Sequence, residues 1–321
     1  MITVYTILNK SIQLVATPIS TPGGEGAVHK IINYPQYSNH CVKVFHFLKR
    51  TEAKKNKIAF MISSKPNNLT HFNFNFCWPI ELVYDSNRKF IGFIMPLAFV
   101  GSEKLYELAA LKMSPKLNYS WQKFDRNTTQ GLQNRLKVCS NIAIAIHALH
   151  QSKIYSIIDL KPQNILLNSE GKISITDIDS FHVSSNQVFH KADVITPEYA
   201  PVEYHITPES TRSMHENWDR FSLAVSFYEI LLGLHPYAAS CNELHVIAET
   251  IGDKIKKTLF VHGTRKMYLS MIPPPHKNFN ALPQSIRNLF MKAFENGNMT
   301  PSERPSAELW GRTLHAYLNQ N

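Results

Sequence analysis

No stretch of the chain reaches the roughly 18 consecutive apolar residues that a membrane-spanning helix needs. The two longest candidates, residues 91–100 and 221–234, contain Pro96 and Glu229 respectively, so no membrane span is expected. The opening MITVYTILNKSIQLVA has neither a basic n-region nor a short apolar h-region, and no secretion signal is expected from it. Cysteine is scarce: Cys41, Cys77, Cys139 and Cys241 lie far apart and form no CxxC pair. That spacing fits reduced, buried thiols in a cytoplasmic protein better than a disulfide framework or a zinc site. The 15 histidines include no HExxH or other ligand spacing. His147 and His150, at a predicted helix end, read as packing or capping residues. Internal repeats and low-complexity tracts are absent.

What is present describes an ordinary globular chain. Its 321 residues, 44% hydrophobic and 18% charged, suffice for a sizeable core and two lobes. A formal charge of +10 favours anionic partners such as nucleotides, acidic protein surfaces or nucleic acid. The basic residues are spread out, however, with only short clusters at 49–50, 54–57 and 254–257, and read mainly as a solvated face.

The most informative stretch is YSIIDLKPQNILLNSEGKISITDIDSF, residues 155–181. Its apolar segments (Ile157 and Ile158; Ile165, Leu166 and Leu167; Ile173 and Ile175) predict short buried strands. Asn168 and Gly171 in LNSEGK suit a hairpin-like reversal. Such strands would hold Asp159, Asn164 and Asp177 close together, a set of oxygen donors able to chelate a divalent metal.

Upstream, residues 12–30 read as strand, turn, strand around TPGGEGAVHKI. Gly23, Gly24 and Gly26 would let backbone N–H groups approach a polyphosphate, although glycines at a hairpin often mark only a turn. Lys43 follows on the strand HCVKVFHF and can serve as a point charge for phosphate oxygens, or face solvent. Residues 50–63 predict a helix with Ala53, Ile58, Ala59 and Met61 as its apolar members and Glu52 near its start. Two strands, NFCWPIELVYD and KFIGFIMPL, are expected to meet at a turn over 85–88. The run MPLAF then leaves the sheet. Helices are predicted over 132–151, 219–233, 243–257, 283–296 and 306–319, with an irregular segment over 182–203 and a polar loop, TPESTRSMHEN.

Taken in order, these parts resemble a eukaryotic-like Ser/Thr protein kinase over nearly the whole chain. TxGxxGxV at Thr21, Gly23, Gly26 and Val28 is similar to the glycine-rich loop, with Thr21 in place of its first glycine. Lys43 matches the phosphate-binding lysine and Glu52 is the candidate for its helix partner. DLKPQN resembles the catalytic loop and TDID the metal-binding motif. TPEYAPVE resembles the end of an activation segment, with Glu203 matching its closing glutamate and Arg304 the buried partner. Asp219 matches the aspartate that opens the central helix of the lower lobe.

The resemblance implies an α+β, bilobal fold, with a β-rich N-lobe at residues 1–97 and a helical C-lobe at 98–321. It implies ATP and Mg2+ as cofactors, with Mn2+ as an alternative ion. Thr21, Gly23, Gly24, Gly26, Val28, Lys43, Glu52, Pro96 and Leu97 would bind the nucleotide, and Asn164 and Asp177 the metal. Asp159 would accept the proton of the acceptor hydroxyl, and Lys161 would steady the transferred phosphate. The implied reaction is phosphoryl transfer to Ser or Thr of a protein; the alternative is a nucleotide-binding pseudokinase serving as an interaction module.

GGEG, CWPIELVYD, GFIMPL, IDSF and FSLAVSFYEILLGLHPY look closest to a bacterial kinase-like group. Some of its members carry a helix-hairpin-helix DNA-binding tail. Others are encoded beside a PP2C phosphatase and a von Willebrand A-domain protein, the partners this likeness implies. The chain ends soon after the kinase-like region, so no such tail and no nucleic-acid partner are expected. Two departures stand out. Ile157 and Ile158 replace the His and Arg usual before the catalytic aspartate, which implies independence from activation-segment phosphorylation. Asp179 replaces the glycine of DFG, where a hydrogen bond to loop amides or a third metal-facing carboxylate is expected.

Overall fold

Alternating apolar residues in the first hundred positions curl a sheet into a closed barrel. A computed structural model describes every residue except 33, 187, 208–214, 243, 245 and 321. The chain is α+β and divides into two units. The first comprises Met1–Asn67, Phe76–Ala98 and Ile175–Asp179, and the second Asn68–Asn75, Phe99–Ser174 and Ser180–Asn321.

In the first unit the barrel order is Ile2–Tyr5, Ser11–Leu14, Gly26–Ile32, His40–Phe45, Phe90–Pro96, Glu81–Tyr84, closed by Tyr5 opposite Tyr84. Val4, Ile12, Leu14, Val42, Val83 and Ile94 fill its interior. The strand carrying Lys43 is central, pairing Lys43 with Val28 on one side and Phe93 on the other. Two glycines permit that packing. A Cβ on Gly92 would lie 1.9 Å from the Lys43 carbonyl oxygen, and one on Gly26 2.3 Å from that of Val44. A Cβ on Gly23 or Gly24 would meet nothing within 4 Å.

NFCWPIELVYD is not one strand. It breaks at Pro79 into Phe74–Phe76 and Glu81–Tyr84, because proline cannot donate to a ladder. The turn at 85–88 forms as expected, with Asp85 accepting from the backbone N–H groups of Asn87 and Lys89.

One α-helix, Glu52–Ser63, belongs to this unit, capped by the Thr51 hydroxyl accepting from the Lys54 N–H. Its buried residues are Lys54, Lys57, Ile58 and Met61, whereas Ala53 and Ala59 are exposed. The helix is seated by Trp78, whose indole N–H donates to the Met61 carbonyl.

The second unit is mainly helical. Thr129–His150 packs on Ala307–Leu318 and on Glu216–Leu232. The last of these has thirteen buried residues and ends at Gly233 in the left-handed conformation. Strands Ile165–Leu167 and Ile173–Ile175 are neighbours, with Asn168 accepting from the N–H groups of Glu170 and Lys172 and Gly171 at φ +88°. Ile157 and Ile158 are not a strand: pairing stops at Ser156, and Ile158 turns to φ +64°. The segment after Phe181 is more ordered than expected, with strands His182–Ser184 and Phe189–His190 and a helix Val202–Ile206.

Of the helix predicted over 243–257, Ile251–Lys256 forms, while residues 243 and 245 lie outside the described residues, as does most of TPESTRSMHEN. Among the described residues no helix is long and apolar enough to cross a membrane.

Gly92→Ala is expected to lower unfolding free energy by about 2–3 kcal/mol through overpacking against the Lys43 carbonyl. Gly24→Ala, with open space around it, should change it by less than about 0.5 kcal/mol. Urea denaturation of both variants measures the contrast.

Candidate active site

The residues singled out by the sequence fall into two groups, one in each unit. In the first unit, Lys43 projects from the central barrel strand with its side chain 7% exposed. Its Nζ donates to Asp179 Oδ1 at 2.6 Å and to Asp177 Oδ1 at 3.2 Å. Burial alone would depress the lysine pKa, but the Asp179 and Asp177 carboxylates overcome it and leave the pKa raised. Burial likewise tends to raise the Asp179 pKa, and Lys43, Lys54 and Lys57 reverse this so that it is lowered. Asp177 stands at φ +55°, a conformation that aspartate tolerates better than most residues, and keeps a side chain 51% exposed.

Glu52 is not brought to Lys43. It occupies the first turn of its helix on the solvent side, 71% exposed, and accepts from Lys55 at 3.0 Å. The inward position of that turn is taken by Lys54, whose Nζ lies 2.8 Å from Glu25 Oε2 and 3.8 Å from Asp179 Oδ2. Glu25 Oε1 also receives Lys49 at 3.1 Å. Among the described residues Asp179 therefore bonds a lysine rather than loop amides: its carboxylate is 1% exposed and ion-paired with Lys43. Glu25, Lys49 and Lys54 escape a reading of the sequence because charged residues normally mark the solvent face. The signal was present in Lys54, Ile58 and Met61, whose i, i+4, i+7 spacing marks one helix face.

The remaining nucleotide candidates lie in the same unit. Thr21 is exposed in a loop, while Gly23 N–H closes the glycine turn on the Gly26 carbonyl at 3.1 Å. Gly26 and Val28 lie on the strand Gly26–Ile32. Pro96 ends the strand Phe90–Pro96, and Leu97 donates its N–H to the Asn39 carbonyl.

In the second unit, Asp159 gathers three side chains. Lys161 Nζ is 2.7 Å from Asp159 Oδ2, and Asn164 Nδ2 donates to the Asp159 carbonyl and Oδ2 at 2.9 and 3.1 Å. The Thr196 hydroxyl donates to Asp159 Oδ1 at 2.5 Å while accepting from Lys161 at 2.6 Å. With its amide nitrogen turned to Asp159, Asn164 directs its oxygen elsewhere. That amide oxygen in the second unit and the Asp177 carboxylate in the first are each of the hard donor type that Mg2+ prefers. Among the described residues no group of three or more His, Cys, Asp or Glu is placed to hold a metal ion.

The bend before Asp159 is held from below. Asp219, fully buried, accepts the N–H of Ile157 at 2.8 Å and that of Ile158 at 2.7 Å, and pairs with His150 Nε2 at 2.9 Å. The Ile158 side chain packs with Ala192 and Trp218, bordered by Ile195 and Tyr204. Arg304 grips Glu203 through its two terminal guanidinium nitrogens at 2.9 and 2.6 Å. Tyr199 donates to Glu229 at 2.7 Å.

The protein kinase domain family matches residues 23–310, and the chain belongs to that family. It is similar to Protein kinase YegI of Escherichia coli strain K12, 24% identical over 302 residues, 93% of this chain and 44% of that protein. It is similar also to Kinase suppressor of Ras A of Caenorhabditis elegans, 27% identical over 247 residues, 71% of this chain and 29% of the other. A Clostridium perfringens protein named as a probable serine/threonine-protein kinase is 28% identical over 157 residues, 48% of this chain and 19% of the other. The chain spans less than half the length of these relatives.

Asp219→Ala should cost about 3 kcal/mol or more, since two amides and His150 lose a buried acceptor. Adding Ile158→Gly removes the strain at φ +64° and a buried side chain together, two effects of similar size, so it should change stability by less than about 1 kcal/mol further. Chemical denaturation of the single and double variants checks both, and a further loss of the full burial free energy, about 2 kcal/mol or more, would refute the strain.

A pH test follows from Glu229, whose pKa burial raises to about 7 from 4.5, the Tyr199 hydrogen bond pulling it partly back. The folded chain then keeps a proton that the unfolded chain has released, so this contribution to stability falls as pH rises from about 4.5 to about 7 and is level above. Glu229→Gln is expected to remove that slope. Parallel pH–stability curves for the parent and this variant would refute it.

Proposed function

We propose that this chain is an ATP- and Mg2+-dependent protein kinase domain that phosphorylates Ser or Thr of a protein, without requiring phosphate on its own activation segment. The observation that carries the reading is the Asp159 cluster. Its carboxylate already accepts an aliphatic hydroxyl, that of Thr196, at 2.5 Å, with the Lys161 ammonium 2.6 Å from the same oxygen. An acceptor hydroxyl bound in that manner would be oriented for attack and near a proton acceptor.

In the proposed step the acceptor oxygen forms a bond to the γ-phosphorus while the bond from that phosphorus to the β–γ bridging oxygen breaks and ADP departs. The hydroxyl proton passes to Asp159. Lys161 neutralises charge on the transferred group, and Lys43 holds the phosphates of the nucleotide. Asp177 and Asn164 would hold Mg2+, which supplies charge neutralisation at the phosphate oxygens. Thr21, Gly23, Gly24, Gly26 and Val28 would cover the nucleotide, and Pro96 and Leu97 would border its base. Residues 1–97 and 98–321 are accordingly assigned as the nucleotide-covering and substrate-binding lobes.

Independence from a phosphate switch is supported by Ile158. Where an arginine would await a phosphate, an apolar side chain packs with Ala192 and Ile195 of the segment itself. The resemblance to bacterial kinase-like proteins suggests a cytoplasmic setting and, as first candidates for substrate and antagonist, a von Willebrand A-domain protein and a PP2C-type phosphatase.

Incubation with labelled ATP, Mg2+ and a generic acceptor should label Ser or Thr. Asp159→Asn and Asp177→Ala should reduce the rate by about a hundredfold or more. Ser184→Ala and Ser185→Ala should each leave it within about twofold. Thr196→Ala is expected to slow it, because that hydroxyl touches Asp159 and Lys161. Nucleotide binding without transfer in the parent would move the protein to the pseudokinase reading.

A further inference from the structure

The charges around Lys43 are arranged with the opposite polarity to the one the family resemblance implies. That resemblance puts an acid on the helix and glycine two residues after the metal carboxylate. Here the inward helix positions carry Lys54 and Lys57, and the turn carries Asp179. The chain of contacts is continuous within the first unit. Asp179 bonds Lys43 through Oδ1 at 2.6 Å and faces Lys54 through Oδ2 at 3.8 Å. Lys54 bonds Glu25 at 2.8 Å, and Glu25 bonds Lys49 at 3.1 Å. Lys43 and Lys54 also both approach the Phe45 ring, at 5.7 and 5.5 Å.

We propose that Asp179 is the positioning residue for Lys43, in the role that Glu52 was expected to fill, and that Lys54 ties the helix to the glycine turn through Glu25. This rests on the proposed kinase reading and deepens it.

Three physical points support the assignment. An ammonium with a 7% exposed side chain needs a permanent counter-charge, and Asp177, half exposed, would be shared with a metal whenever one binds. Asp179 cannot be shared in that way, because its carboxylate is 1% exposed and enclosed by lysines. Finally, Asp177 and Asp179 are two residues apart on one turn, the latter inside the 3-10 helix Ile178–Ser180. The phosphate lysine and the metal carboxylate are thereby set by a single short element. Displacement of helix Glu52–Ser63 would move Glu25 and the glycine turn first, leaving Lys43 anchored. The reversal also accounts for Glu25 among the glycines: an acid there neutralises the helix lysine that would otherwise repel Lys43.

The test reads Lys43 directly. The full chain is treated with an amine-acylating reagent, and the rate of modification at Lys43 is followed by peptide mass spectrometry, with ADP and Mg2+ affinity measured by calorimetry. In the parent Lys43 should react slowly. Asp179→Asn should accelerate its modification about tenfold or more and weaken ADP–Mg2+ binding by a similar factor. Glu52→Ala should match the parent in both. Should Asp179→Asn fail to fold, a second variant replaces it, combining Asp179→Gly, Lys54→Glu and Glu25→Gln. That variant moves the carboxylate to the helix and is expected to restore slow modification relative to Asp179→Gly alone, a rescue that a purely structural role for Asp179 does not predict.

Unchanged Lys43 reactivity in Asp179→Asn, no rescue in the triple variant, or a loss at Glu52→Ala equal to that at Asp179→Asn would each overturn the assignment. Lys43 reactivity needs neither catalysis nor nucleotide. A parent without phosphotransfer therefore counts against the kinase reading alone.

Discussion

Several charges buried inside this protein are each met by a counter-charge, and the placement of those partners decides where the functional groups stand. Moving a lone ammonium or carboxylate into a protein interior costs several kcal/mol, so each such group fixes the position of a partner. Lys43 is fixed by Asp179, Lys54 by Glu25, and Arg304 by Glu203. Asp219 pairs with His150 and fixes the backbone amides of Ile157 and Ile158. Hydrogen bonds to a charged group are worth about 1.5–3 kcal/mol each, enough to select one backbone conformation among several.

The bend before Asp159 illustrates that selection. A β-branched residue in the left-handed region costs about 1–3 kcal/mol. Burying the isoleucine side chain returns a similar amount, about 1.5–3 kcal/mol, so packing alone leaves the conformation nearly neutral. The two amide bonds to Asp219 decide the balance. Their effect is carried one residue on, because the Asp159 N–H closes a tight turn on the Ile157 carbonyl at 2.8 Å. The carboxylate that gathers Lys161, Asn164 and Thr196 is therefore oriented by a helix residue 60 positions later in the chain.

How much of this is legible in the sequence depends on the range of the interaction. The association of Asp159, Lys161 and Asn164 is readable because all three lie within six residues of one loop. The Asn168–Gly171 reversal and the cap at Gly233 are readable for the same reason, being matters of local backbone chemistry. The Glu203–Arg304 pair spans 101 positions and is readable only through resemblance to a family. Lys43 and Glu52 show the opposite case. The family resemblance makes Glu52 the candidate partner of Lys43, yet the helix phase set by the Thr51 cap turns Glu52 to solvent and Lys54 inward. Periodicity based on hydrophobicity selected Ala53 and Ala59, which are exposed, and passed over Lys54 and Lys57. A buried lysine is intelligible only once its carboxylate is known, and that carboxylate comes from the far end of the unit's sequence.

Regulation of the domain is subject to the same constraint on charge. A phosphate–arginine contact is a switch because both partners are strongly hydrated until they meet, so the unmodified segment has little to hold it. On the proposed reading Ile158 stands where that arginine would be, and it makes apolar contact with Ala192 and Trp218, bordered by Ile195 and Tyr204. Apolar burial needs no modification to take effect and is insensitive to salt at the concentrations that screen exposed charge. Beyond this cluster the segment is tied by Thr196 to Asp159, by Tyr199 to Glu229 and by Glu203 to Arg304. Every one of these ties is complete without an added phosphate. Control of such a domain would then fall to groups that enter or leave the Asp159 cluster, or to the Lys54–Glu25 contact at the glycine turn, rather than to covalent charge on the segment.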